Sequence, residues 1–168
     1  KSSKDTGLDF SNTLNYSSEL NIIEYLYYYN GAGVAVGDIN NDGLEDLYFS
    51  ANQLPDKLFL NLGNLKFRDI SDSSGLNKDS SWSNGVSMED VNGDGFDDVL
   101  VSYPGFNHVN GLFTQSGGEG RVDLFLGADT GLAELPARRI INGVWGNGDF
   151  GRSLSTAGDV NGDGYEDF

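Results

Sequence analysis

The 168-residue chain has no cysteine, one histidine, one methionine and three prolines, and it carries 10 basic residues against 26 acidic ones. Without cysteine, neither a disulfide framework nor a thiol nucleophile is available. Ser-His-Asp chemistry would rest on His108 alone, in a glycine-rich stretch where a solvated loop residue is the plainer reading. The net charge of −16 repels phosphate backbones and anionic membranes, which argues against nucleic acid as a partner. No apolar run has transmembrane length.

What the chain does have is one nine-residue pattern written three times: DINNDGLED from Asp38, DVNGDGFDD from Asp90 and DVNGDGYED from Asp159. Oxygen-bearing side chains stand at positions 1, 3 and 5, glycine at 6 and aspartate at 9, a spacing that lets a short loop wrap a hard cation such as calcium. The expected side-chain ligands are Asp38, Asn40, Asp42 and Asp46; Asp90, Asn92, Asp94 and Asp98; and Asp159, Asn161, Asp163 and Asp167. Carbonyls are expected from Leu44, Phe96 and Tyr165 at position 7. Several carboxylates in a flexible loop favour calcium over magnesium, which demands a smaller octahedron and keeps its water. An EF-hand needs glutamate at position 12, where Phe49 and Val101 stand in the first two copies, so these are strand-loop-strand sites. Ordinary Asp-Asn-Gly turns are the bland alternative. Recurrence in one ligand register favours up to three calcium ions, which would also offset the crowding of like charges.

The loops sit in a constant β setting. GVAVGD, LEDLYFS, KLFLNL and LKFRDI read as four short strands, an antiparallel sheet's worth. GVSMED, DDVLVSY, RVDLFLG and a segment near AELPARRI repeat the order, with a glycine-rich excursion from Pro104 to Gly120. FGRSLSTAGD opens a third unit. A spacing of roughly fifty to seventy residues with four strands per repeat suits propeller blades. The expected organisation is an N-terminal extension over 1–30, repeats over 31–82 and 83–148, and the start of a third over 149–168, within a larger propeller. GLDFSNTL is the one N-terminal candidate for a blade-completing strand if copies assemble instead.

FGRSLSTAGDVNGDGYED and NGVSMEDVNGDGFDDVLVSYPG resemble FG-GAP repeats, the blades of integrin alpha-subunit propellers and of many bacterial exported proteins, with Phe150 and Gly151 supplying the FG. YYYNGAGVAVGDINNDGLEDLYFSANQLPDKLFLNLGNLKFRDISDSSGL is similar to VCBS-type repeats of the cartilage acidic protein family and its bacterial surface relatives. The resemblance implies an all-β protein of calcium-stabilised, four-stranded propeller blades whose ligands engage loops on the face away from the metals. It places the chain outside the cell or on its surface, the bacterial outer-membrane surface included, with a lipid anchor outside the chain compatible with that reading.

Other residues have plainer readings. Tyr25, Tyr27, Tyr28 and Tyr29 form either an aromatic platform or a β segment packed on the first blade. Trp82 and Trp145 suit core or inter-blade packing better than sugar stacking. Asn15-Tyr16-Ser17 is a weak glycosylation match. Asp9, Glu19, Glu24, Asp69, Glu119 and Asp123 show no pairing in sequence that would mark a two-carboxylate glycosidase. The expected function is a non-enzymatic module that presents loops to a protein or glycan partner. The alternative is the propeller portion of a secreted polysaccharide-active hydrolase or lyase.

Overall fold

The computed structural model describes residues 2–18, 20–24, 28–29, 31–76, 82–107, 112–113, 119–133, 135–141 and 150–168. His108, Trp145, Glu19, Tyr25, Tyr27 and most of the excursion lie outside them. One helical turn, α1 (Ser3–Thr6), precedes two four-stranded antiparallel sheets.

The first sheet has the order β1 (Val34–Gly37), β2 (Asp46–Phe49), β3 (Lys57–Asn61), β4 (Phe67–Asp69), so consecutive strands are neighbours. The second joins β5 (Val86–Glu89), β6 (Asp98–Tyr103), β9 (Arg121–Phe125) and β10 (Arg138–Ile141) in the same way. Between β6 and β9 the chain inserts a two-stranded hairpin, β7 (Phe106–Asn107) and β8 (Leu112–Phe113). Each sheet is thus a meander of short strands, the form of a propeller blade. The fourth strand of the second sheet takes the ARRI end of the expected segment. In the third unit the described residues form only isolated bridges, Gly158 with Asp167 and Gly120 with Phe150.

Period-two alternation decides which side chains meet. On β1, Ala35 is buried while Val34 and Val36 are 57% and 52% exposed. Ala35, Tyr48, Leu58 and Leu60 of the first sheet share one apolar cluster with Met88, Val99, Val101, Tyr103 and Phe125 of the second. Full burial of an aliphatic or aromatic side chain stabilises by about 1.5–3 kcal/mol, so this seam is the main source of cohesion between the sheets. The inner strands approach closely at Gly37, where a Cβ would stand 2.6 Å from Asp97 Oδ2 and 2.8 Å from the Met88 Cβ.

Polar bonds close the seam at both ends. Near the aspartate loops, Asp38 N donates to Asp97 Oδ2 at 2.7 Å and Asp97 N donates to the Asp38 carbonyl at 3.1 Å. At the opposite end, Ser50 Oγ donates to the Asn84 carbonyl at 2.9 Å and Ser83 Oγ donates to the Ala51 carbonyl at 2.8 Å. Buried Asp56 accepts from the Tyr48 hydroxyl at 2.8 Å and from Ala51 N at 2.7 Å.

Among its described residues the N-terminal extension adds no strand to either sheet of this chain. From Thr6 to Leu14 it alternates between half-buried and exposed residues without joining a ladder. Tyr28 and Tyr29 stand in a turn rather than a β segment; Tyr28 is 0% exposed against Trp82 and Tyr16, whereas Tyr29 is 64% exposed. Trp82 is 2% exposed in the same aromatic group, a packing residue.

Candidate metal centre

The first two nine-residue loops each join an inner strand to the next strand at one end of a sheet, the third is closed by the Gly158–Asp167 bridge, and in all three the chain reverses through glycine. Gly43, Gly95 and Gly164, all at position 6, have φ of 82°, 91° and 90°, a left-handed conformation that penalises residues with a Cβ. The side chains at positions 1, 3 and 5 turn inward and take up the loop's own N–H groups. Asp90 Oδ1 accepts from Gly93 N at 2.7 Å and Asp94 N at 3.2 Å, and its Oδ2 from Gly95 N at 2.9 Å. Asn92 Oδ1 accepts from Asp94 N at 2.8 Å, and Asp94 Oδ1 from Phe96 N at 3.0 Å.

The third loop repeats this wiring. Asp159 accepts from Gly162, Asp163 and Gly164 at 2.6, 3.0 and 2.9 Å, Asn161 from Asp163 at 2.9 Å, and Asp163 from Tyr165 at 3.0 Å. In the first loop Asp38 accepts from Asp42 N at 3.1 Å and Gly43 N at 2.8 Å, Asn40 from Asp42 N at 3.2 Å, and Asp42 from Leu44 N at 2.9 Å.

The ninth residue ties each loop back on itself. Asp46 Oδ2 accepts from Ile39 N at 3.3 Å, Asp98 Oδ2 from Val91 N at 3.2 Å and Asp167 Oδ2 from Val160 N at 3.0 Å. In the first two loops the other oxygen reaches outward to the third strand of the sheet. Asp46 Oδ1 accepts from Asn61 N at 2.7 Å, and Asp98 Oδ1 from Gly127 N, just beyond β9, at 2.9 Å. Both residues are 0% exposed. Burial pushes each carboxyl up to about 6 against those hydrogen bonds, and the neighbouring charges of Asp42 and Asp38, or of Asp94 and Asp90, add to the rise.

The four expected side-chain ligands of each copy thus stand on one loop and bond to that loop's own N–H groups. Among the described residues no group of three or more His, Cys, Asp and Glu side chains is drawn together closely enough to hold a metal ion. The donor chemistry nevertheless fits a hard cation. A carboxylate offers about four lone-pair sites, of which the loop N–H groups use three on Asp90 and two on Asp38. In the first two loops the charges of the first and fifth positions are close enough to act on the ninth, and the carboxylates offer only oxygen atoms.

Position 8 was missed in the reading of the sequence, although it is acidic in every copy: Glu45, Asp97 and Glu166. Asp97 uses its carboxylate to hold Asp38 N across the seam, so one loop braces the next. Tyr165 of the third loop likewise lies against Gly93 of the second, 2.9 Å from where a Cβ would be. Two of the loose carboxylates are engaged structurally. Asp123 takes a bidentate pair from Arg139 at 2.8 and 2.9 Å across the β9–β10 ladder, and Asp69 pairs with Lys57 at 2.7 Å. Neither is a free acid or base in the described surface.

Two family models match the chain, an FG-GAP-like repeat over residues 38–101 and an FG-GAP repeat over 83–125. Integrin alpha-PS5 of Drosophila melanogaster is 33% identical over 162 residues, covering 86% of this chain and 15% of that protein. Cartilage acidic protein 1 of Xenopus tropicalis is 33% identical over 108 residues, covering 64% of this chain and 16% of the relative. Integrin alpha-8 of Mus musculus is 26% identical over 162 residues, with coverage of 86% and 14%. The chain thus spans less than a fifth of the length of the curated relatives it matches. Among the described residues no helix is long and apolar enough to cross a membrane.

Proposed function

The chain belongs to the FG-GAP repeat proteins and resembles integrin alpha propeller blades, and from that premise we propose that it is a calcium-rigidified adhesion or recognition module exposed outside the cell, without catalytic activity of its own. Residues 31–82 and 83–148 serve as two blades and 149–168 begin a third, with 1–30 as an extension and further blades or subunits completing the ring. The partner is a protein or glycan. The cell-surface setting extends to bacterial outer membranes, where a lipid anchor outside this chain would tether it.

One observation carries the calcium reading: the same N–H-to-carboxylate wiring recurs in three loops, and in the first two the closing aspartate sits close enough to two others for their charges to disfavour its own. Asp38, Asn40, Asp42 and Asp46 would hold one ion with the Leu44 carbonyl; Asp90, Asn92, Asp94 and Asp98 a second with Phe96; Asp159, Asn161, Asp163 and Asp167 a third with Tyr165. Bound calcium supplies positive charge that removes the repulsion within each loop. Because Asp46 and Asp98 also hold the third strands, stiffening a loop stiffens its sheet. Titration calorimetry on the metal-stripped chain should register uptake of up to three calcium ions with magnesium a poor competitor. A flat calcium titration of folded protein would overturn the reading.

A further inference from the structure

The three segments that lead toward the aspartate loops begin around one open cavity of about 240 Å³. Gly33, Gly85 and Leu154 each stand five residues before the first aspartate of their loops, Asp38, Asp90 and Asp159, and all three line it. They are stepped in order. A Cβ at Gly33 would lie 2.6 Å from the Asn84 carbonyl oxygen, and one at Gly85 would lie 3.1 Å from the Leu154 Cβ. A space that touches the first and third segments, with the second between them, lies on the concave side of their arc, which is the axial side of a propeller. Further blades would carry the arc around this cavity rather than stack on it.

The lining carries one charged side chain. Arg152 is exposed there beside Ser153, and no acidic residue lines the space. The aspartate loops lie at the far ends of β1 and β5, so this end of the molecule repels an anion least. Asn84 also lines the cavity, and its Oδ1 is buried without a hydrogen-bond partner. Buried acceptors are rarely left so, and a donor entering the cavity would complete this one after a small turn of the amide. A carboxylate with an N–H close by meets both demands, and every aspartate or glutamate residue brings its own main-chain N–H. No aromatic ring lines the cavity, so it lacks the flat apolar surface on which a sugar would stack.

We propose that this axial cavity receives an acidic side chain from a loop of a protein partner, its carboxylate held by Arg152 and Ser153 and its main-chain N–H by Asn84. The proposal rests on the reading of the chain as a recognition module and names the chemistry of its partner. The aspartate loops take no part in the contact.

The test follows the backbone amide resonances of the full chain, in calcium, on titration with the blocked tripeptide Gly-Glu-Gly. Resonances of Gly33, Asn84, Gly85 and Ser153 should shift, and the blocked Gly-Gln-Gly should leave them in place. Arg152→Gln should weaken binding about tenfold, the scale of one charge-assisted hydrogen bond. Ala32→Leu, which fills the cavity and keeps the charge, should abolish it. No shift at those amides in the folded chain, or equal shifts with the glutamine peptide, overturns the proposal. A response to glucuronate alone also overturns it, because the cavity would then be a sugar-acid site. Should one variant not fold, the other decides, and undiminished binding refutes the assignment. Calcium uptake without peptide binding ends this proposal and spares the calcium reading, whereas peptide binding without calcium uptake does the reverse.

Discussion

The first two aspartate loops and the third share one sequence pattern and one internal wiring, yet they stand in different surroundings. Asp46 and Asp98 are fully buried and bridge their loops to the third strand of a sheet through Asn61 and Gly127. Asp167 is half-buried, and its carboxylate holds Val160 within its own loop. The difference teaches that the motif encodes the turn, while the sheet around it sets how much stability hangs on the closing carboxylate. In the first two copies that group is a strand clamp as well as a candidate ligand.

Removing the metal should have the largest effect, because it strikes all loops at once. A site bound only in the folded state contributes about 2.7 kcal/mol at a hundredfold excess of ion over Kd. Chelation should therefore lower the melting temperature sharply, as followed by circular dichroism. A curve unmoved after confirmed metal removal would reduce the three loops to plain turns and erase the comparison.

Asp98→Ala comes next and separates clamp from ligand. It leaves the N–H groups of Val91 and Gly127 without their acceptor, at about 1–3 kcal/mol for each buried donor. Denaturant unfolding in chelator should still show a cost of that size, since the clamp needs no ion. If the cost vanishes in chelator, Asp98 acts through metal alone.

A smaller loss, about 1 kcal/mol, is expected for Asp97→Ala, which frees Asp38 N at the seam between the sheets. Asp94→Ala, at an exposed loop position, should leave the seam intact; in chelator it loses only the exposed bond from Phe96 N, below about 1 kcal/mol, and its larger effect should appear with calcium present. Coincident losses for the two variants in chelator would argue against a brace between loops.

The smallest effect is expected for Asp167→Ala, below about 1 kcal/mol in chelator, because one exposed loop hydrogen bond is lost. A penalty equal to that of Asp98→Ala would show that the third closing carboxylate is also clamped, and would remove the contrast between the loops.

Much of this architecture can be read from residues alone. Position-6 glycines, oxygen side chains at alternate positions and the period-two runs on either side specify loop and strands locally, so both sheets follow the expected order. The loop that carries each proposed ligand set is legible for the same reason: residues no more than eight apart form each candidate site. The N-terminal segment was not legible in this way. GLDFSNTL reads as a candidate strand, but in this chain the first sheet bonds to the segment through the side chains of Asn52 and Gln53 rather than through a ladder.

By itself, the sequence determined the turns, the alternation and the acidity, because these depend on neighbours within a few residues and on backbone sterics. Only the tertiary structure decided that Asp97 braces Asp38, that Asp46 and Asp98 are buried clamps while Asp167 is not, and that Phe10 lies on Phe49. Those pairings join residues some fifteen to sixty positions apart. Which distant surfaces meet is set by the burial of Val99, Val101, Tyr48 and Leu58 in one seam, and no local pattern specifies the partner across it.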